Sequence, residues 1–407
     1  ASGSPRMTER FFAPCPRGLE APLGDELAAL DAGGIVRADG GVAFEGPLAL
    51  ACRANLESRL ASRILWRVGG GRYRDERDVH ALAKAIPWPT HFRGDRTLRV
   101  DVAATRSPLT SLEFATLTVK DAVCDRFRAD TGGRPSVDKR APDVRVHVHL
   151  TADTATIYLD TSGEPLFKRG WRRDTEEAPL RENLAAGLLA LAGWRAGLPL
   201  LDPMCGSGTI AIEAALLAAN RAPGLARTFG FQKLAWYDGP TWQRMRQKAQ
   251  DRVVTPPQQA LVFASDSAAG AIAKCAANAK AAKVDAFVAI ERTDVLARVA
   301  PAPEGVLVSN PPYGARLSDR ERLAAFYPRL GDALKQHFAG WHAWLLSGDP
   351  ALAKCIGLRV ARRIPLYNGA IECRLYGIPL VAGRHEPRAV PADPARDPPA
   401  GEPTGSA

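Results

Sequence analysis

The sequence predicts an α/β protein whose C-terminal part is a mostly parallel sheet that closes with a hairpin, preceded by an α+β region. Three observations favour this fold class. An apolar strand, a glycine-containing turn and an apolar helix follow one another at 199–219, which makes half of a βαβ unit. A second apolar strand at 305–309 ends in a double-proline loop. Near the C-terminal end, Asn368-Gly369 is a strong β-hairpin signal.

The first 160 residues alternate short apolar strands with amphipathic helices and show no cluster of catalytic residue types. The predicted strands are 11–13, 41–44, 63–68, 98–103 and a hairpin of 144–150 with 154–159; the predicted helices are 18–30, 48–60, one after Asp78, and 118–131. The segment 144–150 alternates apolar and polar residues, so one of its faces should be buried. We therefore expect this region to be a binding platform.

The segment 199–209 carries the first of two motifs. Its strand runs into Asp202, the chain turns through Gly206 and Gly208, and a helix is predicted at 209–219 with Thr209 near its cap. Glycine lets a backbone approach a ligand closely, and a helix N-terminus offers free N–H groups. A dinucleotide site would need G-x-G-x-x-G, which this turn lacks; a tight turn in some other α/β protein is the alternative. The predicted ligand-binding residues are Asp202, Pro203, Cys205, Gly206, Gly208 and Thr209.

The second motif is Asn310-Pro311-Pro312-Tyr313, at the end of the strand 305–309. Two prolines remove two backbone donors and hold the loop extended, which leaves the Asn310 side-chain oxygen and the Pro311 carbonyl as fixed acceptors for an NH2 group. Tyr313 is suited to stack on a planar base. A rigid proline-rich turn is the alternative interpretation. These four residues are the predicted catalytic residues, and Asn310 is also a predicted cofactor-binding residue. In this order, the two motifs predict an S-adenosylmethionine-dependent methyltransferase that acts on an exocyclic amine of a base.

Polar residues at two further strand ends are candidates for cofactor binding. A strand at 263–266 ends at Asp266, where an acidic residue commonly binds ribose hydroxyls, and Ser267 opens the helix that follows. A third strand at 286–290 precedes Asp294, which either accepts from the adenine amino group or caps a helix. An insertion at 221–256, rich in Trp, Arg and Gln, separates Asp266 from the first motif.

The remaining segments complete the predicted sheet. A helix at 178–191 precedes the first motif and is expected to cover the cofactor pocket. The segments after the second motif are a helix at 319–338 that contains Pro328, a strand at 341–346, a helix at 351–358 and the hairpin strands 359–367 and 371–378. A parallel sheet that closes with a hairpin is the arrangement of class I methyltransferases rather than of a plain dinucleotide-binding fold.

Composition restricts the partners and the compartment. The 54 Lys and Arg residues against 44 Asp and Glu give a net charge of +10, with arginines crowded in the N-terminal third, which fits an RNA partner. No apolar run approaches a membrane span and no signal segment is apparent, so a cytoplasmic protein is expected. The seven cysteines form no C-x-x-C pair, which predicts free thiols and no metal, with Cys205 a small residue facing the cofactor rather than a nucleophile.

Across nearly its whole length the chain resembles the bacterial 23S ribosomal RNA guanine-N2 methyltransferases of the THUMP-containing group. Both motifs carry the resemblance, together with weaker N-terminal segments in the same order. These segments are 12–20 (FAPCPRGLE), 58–63 (SRLASR), 119–122 (VKDA), 160–163 (DTSG) and 168–172 (KRGWR). The resemblance implies that Asp202, Gly206, Gly208, Asp266 and Asp294 hold S-adenosylmethionine, and that residues 310–313 receive the guanine.

The resemblance also implies the domains and the function. The expected domains are a ferredoxin-like segment (7–60), a THUMP RNA-binding domain (61–160), a connector with the pre-motif helix (161–195), a Rossmann-like methyltransferase domain (196–382) and a disordered tail (383–407). The expected function is methylation of a guanine N2 amine in 23S rRNA. The alternatives are methylation of tRNA guanine or of adenine N6, since the second motif serves both bases, or a non-catalytic RNA-binding ribosome assembly factor. Some relatives carry a second methyltransferase domain after the first; only a proline-rich tail follows here, so no second activity is expected.

Overall fold

The computed structural model describes residues 8–172, 180–312 and 317–381, and these form two seven-stranded sheets. The first sheet belongs to the N-terminal region and the second to the C-terminal region. The predicted catalytic residue Tyr313, the start of the predicted helix at 178 and the predicted tail at 383–407 lie outside the described residues.

The N-terminal sheet is mostly antiparallel and is covered by helices. Its strands are β1 (Glu9–Pro14), β2 (Gly33–Ala38), β3 (Gly41–Gly46), β4 (Leu65–Arg72), β5 (Leu98–Ala104), β6 (Val144–Leu150) and β7 (Thr154–Asp160). Its helices are α1 (Glu20–Ala29), α2 (Leu48–Glu57), α3 (Glu76–Ala85), α4 (Trp88–His91) and α5 (Leu112–Thr131). The strand order is β2-β3-β1-β4-β7-β6-β5, with β5 and β6 parallel. Because β1 pairs with β4, one sheet spans the domain boundary predicted at residue 60.

The N-terminal region differs from the prediction in several places, of which three are instructive. The edge strand β2 was not predicted, because most of its residues are exposed and it lacks an apolar pattern. The helix predicted at 118–131 begins six residues earlier, since the Ser111 side chain accepts from Phe114 N at 3.1 Å and caps it. Phe114 and Leu117 are exposed in that first part, which hides the helical pattern. The helix predicted after Asp78 already contains it, because Asp75 is the N-cap.

The C-terminal sheet has the predicted parallel arrangement with a closing hairpin. Its strands are β8 (Leu200–Asp202), β9 (Val262–Asp266), β10 (Val288–Arg292), β11 (Gly305–Ser309), β12 (Trp341–Ser347), β13 (Arg362–Asn368) and β14 (Ile371–Pro379). Its helices are α6 (Glu182–Leu191), α7 (Thr209–Ala218), α8 (Gly239–Asp251), α9 (Ala269–Ala281), α10 (Leu317–His337) and α11 (Ala351–Cys355). The order is β10-β9-β8-β11-β12-β14-β13, and β14 alone runs antiparallel to both neighbours.

The strand order positions the site. The chain leaves β8 toward β9 on one side and returns to β11 on the other, so the direction of winding reverses at β8. In open α/β sheets a ligand binds outside the carboxyl ends of the strands at such a reversal. The crevice is therefore expected where β8 and β11 end, which is where both motifs lie.

Several details of the C-terminal half differ from the prediction. The strand β10 begins two residues later than the predicted strand at 286–290, because residues 285–287 form a short 3-10 helix, and the helix predicted at 351–358 ends at Cys355. Asn368 pairs with Ile371, so the hairpin loop is Gly369-Ala370 rather than Asn368-Gly369. Gly369 has a φ of +64°, which suits a two-residue turn with glycine in its first central position. The insertion contains the helix α8, capped by Asp238 and anchored by the buried Trp242.

A buried polar network joins the N-terminal region to the C-terminal half. The Asn55 amide donates to Thr161 Oγ1 at 2.7 Å, and its oxygen accepts from Ser162 Oγ at 2.6 Å; all three side chains are buried. The insertion adds backbone contacts, because Phe231 N donates to Thr161 O at 2.8 Å and Gly224 N to Leu56 O at 3.0 Å. The platform is thereby packed directly against the sheet that carries both motifs.

Candidate active site

The predicted site residues lie along the carboxyl edge of four neighbouring strands. Asp202 ends β8 and Asp266 ends β9, while Asn310 directly follows β11 and Asp294 follows β10. The register pairs Asp202 with Ala264 and Asp266 with Arg292. Strand order thus brings together residues that are far apart in the chain.

The turn of the first motif depends on two glycines with positive φ, Gly206 at +53° and Gly208 at +88°. A Cβ atom on Gly208 would collide with Cys275 Sγ, so glycine is needed there for packing as well as for conformation. A Cβ atom on Gly206 would meet no atom within 4 Å. The turn therefore has one side packed on α9 and an open side at Gly206.

Asp266 connects the turn to the second strand. Its Oδ2 accepts from Gly206 N at 3.0 Å and its Oδ1 accepts from Ala268 N at 2.9 Å. The side chain remains partly exposed, and an ionised carboxylate has about four acceptor positions, so two can still receive ligand hydroxyls. The neighbouring Ser267 is exposed, and its carbonyl accepts from Arg292 Nε at 3.0 Å.

Asp294 is exposed and caps its own turn. Its Oδ1 accepts from Leu296 N at 2.9 Å. The preceding residue, Thr293, donates its N–H to Asp266 O at 3.1 Å, which places Asp294 beside the end of β9. The capping role is thus observed, and any cofactor contact would be additional to it.

Asp202 is a buried acid at the centre of the edge. Its Oδ1 accepts from Ser309 Oγ at 2.7 Å and from Met204 N at 3.3 Å. Burial raises the pKa of Asp202 to about 7, helped by the Asp266 charge and opposed by the two hydrogen bonds. The carboxyl group therefore exchanges its proton near neutral pH. A cationic ligand or a hydrogen-bond donor beside it would favour the ionised form.

The Asn310 loop contains an unsatisfied acceptor. The Asn310 side-chain oxygen is buried and has no hydrogen-bond partner among the residues that the structure describes. Leaving such a group unpaired costs about 1–3 kcal/mol. Pro311 is buried and Pro312 is exposed. Ser265 Oγ, on β9 just before Asp266, is a second buried polar atom without a partner at these strand ends, and nothing in the sequence pattern distinguished it.

Arg172 stabilises the first motif in a way that the sequence did not reveal. Its guanidinium donates to Ser207 Oγ at 3.1 Å, to Thr209 Oγ1 at 2.9 Å and to Glu182 Oε1 at 2.9 Å. The predicted ligand residue Thr209 is thus engaged by a connector arginine, which ties the start of α6 to the start of α7. Burial raises the pKa of Glu182, and the charge of Arg172 opposes this shift.

A buried ion pair holds the connector to α7. Arg169 Nε donates to Glu213 Oε1 at 3.2 Å, and the two side chains are 2% and 0% exposed. Arg169 also donates to Leu166 O at 2.8 Å and to Arg59 O at 2.6 Å. The sequence contains one indication of this pair. Glu213 lies inside the apolar run TIAIEAALLA, and an acidic residue that is buried there needs a charged partner.

The edge has acceptors and hydroxyls but no activated thiol. A hydrogen bond with Cys275 and burial raise the pKa of Cys205 far above its usual range, so Cys205 is a neutral, small side chain of the turn. Within residues 8–172, 180–312 and 317–381, no three His, Cys, Asp or Glu side chains are grouped to hold a metal ion. Among the helices that the structure describes, none is long and apolar enough to cross a bilayer.

The strand order, the glycine turn and the Asn-Pro-Pro loop define a class I methyltransferase domain joined to an α+β platform. Residues 169–377 match the family described as "RMKL-like, methyltransferase domain", residues 73–160 match the THUMP domain and residues 10–65 match the RlmL ferredoxin-like domain. The chain belongs to the RMKL-like methyltransferase family. The predicted resemblance and fold class are confirmed.

Curated relatives share one name. The proteins named "Ribosomal RNA large subunit methyltransferase K/L" from Aeromonas salmonicida and Methylococcus capsulatus are 41% and 43% identical over 90% and 91% of this chain. These alignments cover 54% and 51% of the two relatives. The chain therefore spans about half the length of the curated relatives that it matches.

Solved structures share the complete two-part architecture. SMU.472, named a methyltransferase and complexed with SAH, has a TM-score of 0.84 and 28% identity, covering 93% of this chain and 99% of that one. A predicted N6-adenine-specific DNA methylase from Listeria monocytogenes has a TM-score of 0.82 and 30% identity, covering 91% and 96% of the two chains. Both are similar over the platform as well as the methyltransferase domain.

Proposed function

We propose that this chain uses S-adenosylmethionine to methylate the exocyclic N2 amine of a guanine in large-subunit ribosomal RNA. The observation that carries the proposal is the buried, unpartnered Asn310 oxygen at the carboxyl end of β11, beside the glycine turn of β8. An amine is the donor that such an acceptor lacks. The name of the curated relatives supports ribosomal RNA as the substrate, and the SAH complex of SMU.472 supports the cofactor.

In this proposal, each residue at the carboxyl edge contacts a different part of the cofactor or of the target base. When bound, the cofactor supplies an activated methyl group on its sulfonium. Asp266 and Ser267 would hold the ribose end, Asp294 the adenine, and the turn from Asp202 to Thr209 the rest of the cofactor. The Asn310 oxygen and the Pro311 carbonyl would orient the guanine amine, with its lone pair toward the methyl, while Pro312 and Tyr313 shape the base pocket.

Positioning supplies the catalysis in this arrangement. An amine held in line with the methyl group reacts as part of one complex, and well-oriented pairs gain several kcal/mol in this way. The reaction transfers a methyl to nitrogen, releases the amine proton and leaves the cofactor as a neutral thioether. The base is extruded from its stack beforehand, at a cost of a few kcal/mol.

The platform of residues 7–160 would hold the RNA. Some of its cations are engaged in the fold: Arg63 pairs with Asp160, Arg126 with Asp130 and Arg145 with Glu164. Others, including Arg72, Arg77 and Arg140, are exposed and have no ion-pair partner among the described residues. These free cations are the ones available to phosphate groups.

Adenine N6 is the second candidate. The Listeria relative is named for that activity, and an amine acceptor on this loop serves either base. The third alternative, a non-catalytic assembly factor, is disfavoured by the intact glycine turn and by the unpaired Asn310 oxygen.

The test is methyl transfer from labelled S-adenosylmethionine to unmodified 23S rRNA transcript, tRNA and DNA, followed by nucleoside mass spectrometry. We expect N2-methylguanosine from the 23S transcript. N6-methyladenine would favour the second candidate. Cofactor binding without transfer to any of the three nucleic acids would contradict the enzymatic proposal.

A further inference from the structure

A cavity of about 430 Å³ lies between the platform and the C-terminal hairpin. We call it the hairpin cleft. Its walls come from the loop 15–17, from the start of α6 and from the hairpin end at 367–370. Because Ser347, the last residue of β12, pairs with Arg374 near the start of β14, the hairpin loop extends past the carboxyl edge of the sheet. The cleft therefore opens at the same edge as the candidate active site.

The platform wall of the hairpin cleft is rigidly built. Glu20 accepts from Gly18 N at 2.8 Å and from Gly40 N at 3.0 Å, which fixes the loop that ends in Arg17. Gly18 has a φ of +93°, and a Cβ atom there would lie 2.5 Å from Pro365 O. The loop is thus packed directly on β13. This contact gives a structural reason for the PCPRGLE segment, which the two catalytic motifs left unexplained.

Two arginines that have no carboxylate partner in the described part of the chain border the cleft. Arg17 lies over the Tyr367 ring, with 5.7 Å from its guanidinium carbon to the ring centroid, and Arg181 lies 4.9 Å from the centroid of Phe167. Neither guanidinium forms an ion pair with a described carboxylate. Arg181 is also the N-cap of α6, where a positive charge opposes the helix dipole. The fold thus keeps a cation where helix stability alone would disfavour one.

The chemistry of the walls suits a nucleotide. Guanidinium groups bind phosphate, often through two donors, and an aromatic ring offers a stacking surface for any base. Burial raises the pKa of Cys15 to about 12, helped by the negative charges of Glu20 and Glu26, so the thiol itself stays neutral. The volume falls within the range of small-ligand pockets, about 300–1,000 Å³.

We propose that the hairpin cleft binds a nucleotide that flanks the target base, with its phosphate on Arg17 and Arg181 and its base against Tyr367. The proposal rests on the proposed RNA methyltransferase function and adds a contact between platform and hairpin that would fix the register of the RNA strand. Because one wall belongs to each half of the molecule, the flanking nucleotide would couple RNA capture by the platform to base placement in the active site.

The test compares Arg17→Ala, Arg181→Ala and Tyr367→Ala with Arg195→Ala in the full chain. Arg195 is an exposed arginine that follows α6 and precedes β8. Its substitution by alanine therefore removes the same charge at the other edge of the sheet. The probe is a fluorescein-labelled, guanine-free single-stranded RNA, measured by anisotropy over a range of salt concentrations. Methyl transfer to 23S rRNA transcript and calorimetry with S-adenosylmethionine are measured in parallel.

We expect each cleft arginine variant to bind the RNA about fivefold or more weakly and to reduce the salt slope by about one. Tyr367→Ala should weaken binding about fivefold with an unchanged slope, and Tyr367→Phe should restore it because stacking survives. The KM for 23S rRNA should rise in the three cleft alanine variants, while their cofactor affinity stays at the wild-type value. Arg195→Ala should keep wild-type RNA affinity, KM and cofactor affinity.

Two results would overturn the inference. Cleft variants that bind RNA and transfer methyl groups as Arg195→Ala does would remove the cleft from RNA binding. Variants that only lower the unfolding temperature would make it a plain packing interface. A failure of the proposed function would be distinguishable from a failure of this inference, because the wild-type chain itself would then transfer no methyl group to the transcript.

Discussion

The two ends of the candidate active site are built in opposite ways. At the proposed cofactor end, hydrogen bonds hold the glycine turn: Asp266 accepts from Gly206 N, while Arg172 donates to Ser207 and Thr209. At the base end, the Asn310 oxygen is buried and unpaired. Folded proteins rarely leave a buried acceptor unsatisfied, and exceptions concentrate at functional sites. We infer that the fold preorganises the proposed cofactor end, although Ser265 Oγ there also has no partner among the described residues, whereas the substrate completes the base end.

The largest expected effect tests the support beneath the cofactor end. Arg169→Ala would leave Glu213 buried without its partner, and breaking a buried pair in this way costs about 3–5 kcal/mol. Urea unfolding should show that loss in the free energy of unfolding. A double variant, Arg169→Met with Glu213→Leu, should recover much of it because neither position then holds a buried charge without its partner. A single variant as stable as the wild type would mean that the pair does not support α7.

The next effect compares two acids on neighbouring strand ends. Asp266→Ala removes a carboxylate that accepts from the turn and is proposed to receive the ribose hydroxyls, so cofactor affinity should fall by about 1.5–3 kcal/mol, roughly ten- to a hundredfold. Asp294→Ala is the matched control. It is exposed and already caps its own turn, so its loss should weaken binding less. Calorimetry that ranks the two variants the other way would reassign the ribose contact.

A further effect follows from the pKa of Asp202, which the fold raises from 3.8 to about 7. Between these values the folded protein keeps a proton that the unfolded chain has released. Stability from this group is therefore present below about pH 4 and is lost as the pH rises to 7. Asp202→Asn cannot titrate at this position. The difference between its free energy of unfolding and that of the wild type, measured from pH 4 to pH 7, should therefore give the pH dependence that Asp202 contributes.

Cofactor binding should show the opposite pH dependence. If ionised Asp202 receives the cofactor, affinity should rise with pH and level off above about 7 in the wild type, and this rise should be absent in Asp202→Asn. If the wild type and Asp202→Asn had identical pH profiles of stability and of cofactor affinity, Asp202 would not titrate near pH 7.

The sequence predicted the elements that have a strong local signal. The strand β11 has the predicted bounds, since an apolar run stops at a polar residue and two prolines. The hairpin was predicted, but its loop was misplaced by one residue because Asn368 pairs with Ile371. The edge strand β2 and the first turns of α5 were missed, because exposed residues there carry no periodic pattern.

The site was predictable only in part, for a related reason. Strand ends and glycines mark the row of candidate residues, so Asp202, Asp266 and Asn310 could be proposed from local pattern alone. The links between them are not local. The bond from Gly206 to Asp266 joins residues 60 positions apart, and the contacts of Arg172 with the turn depend on how the connector folds over it. Sequence periodicity contains no information on such contacts.

The central claim is that the Asn310 oxygen stays unpaired in the fold in order to accept from the target amine. Its direct test is the single-turnover rate of Asn310→Ala with pre-bound 23S rRNA transcript and saturating cofactor. We expect a loss on the order of 100-fold or more, with RNA and cofactor affinity at wild-type values and an unfolding temperature no lower than that of the wild type, because the side-chain oxygen has no hydrogen-bond partner to lose among the described residues. A near-normal rate would contradict the claim and would make the Asn-Pro-Pro loop a structural turn.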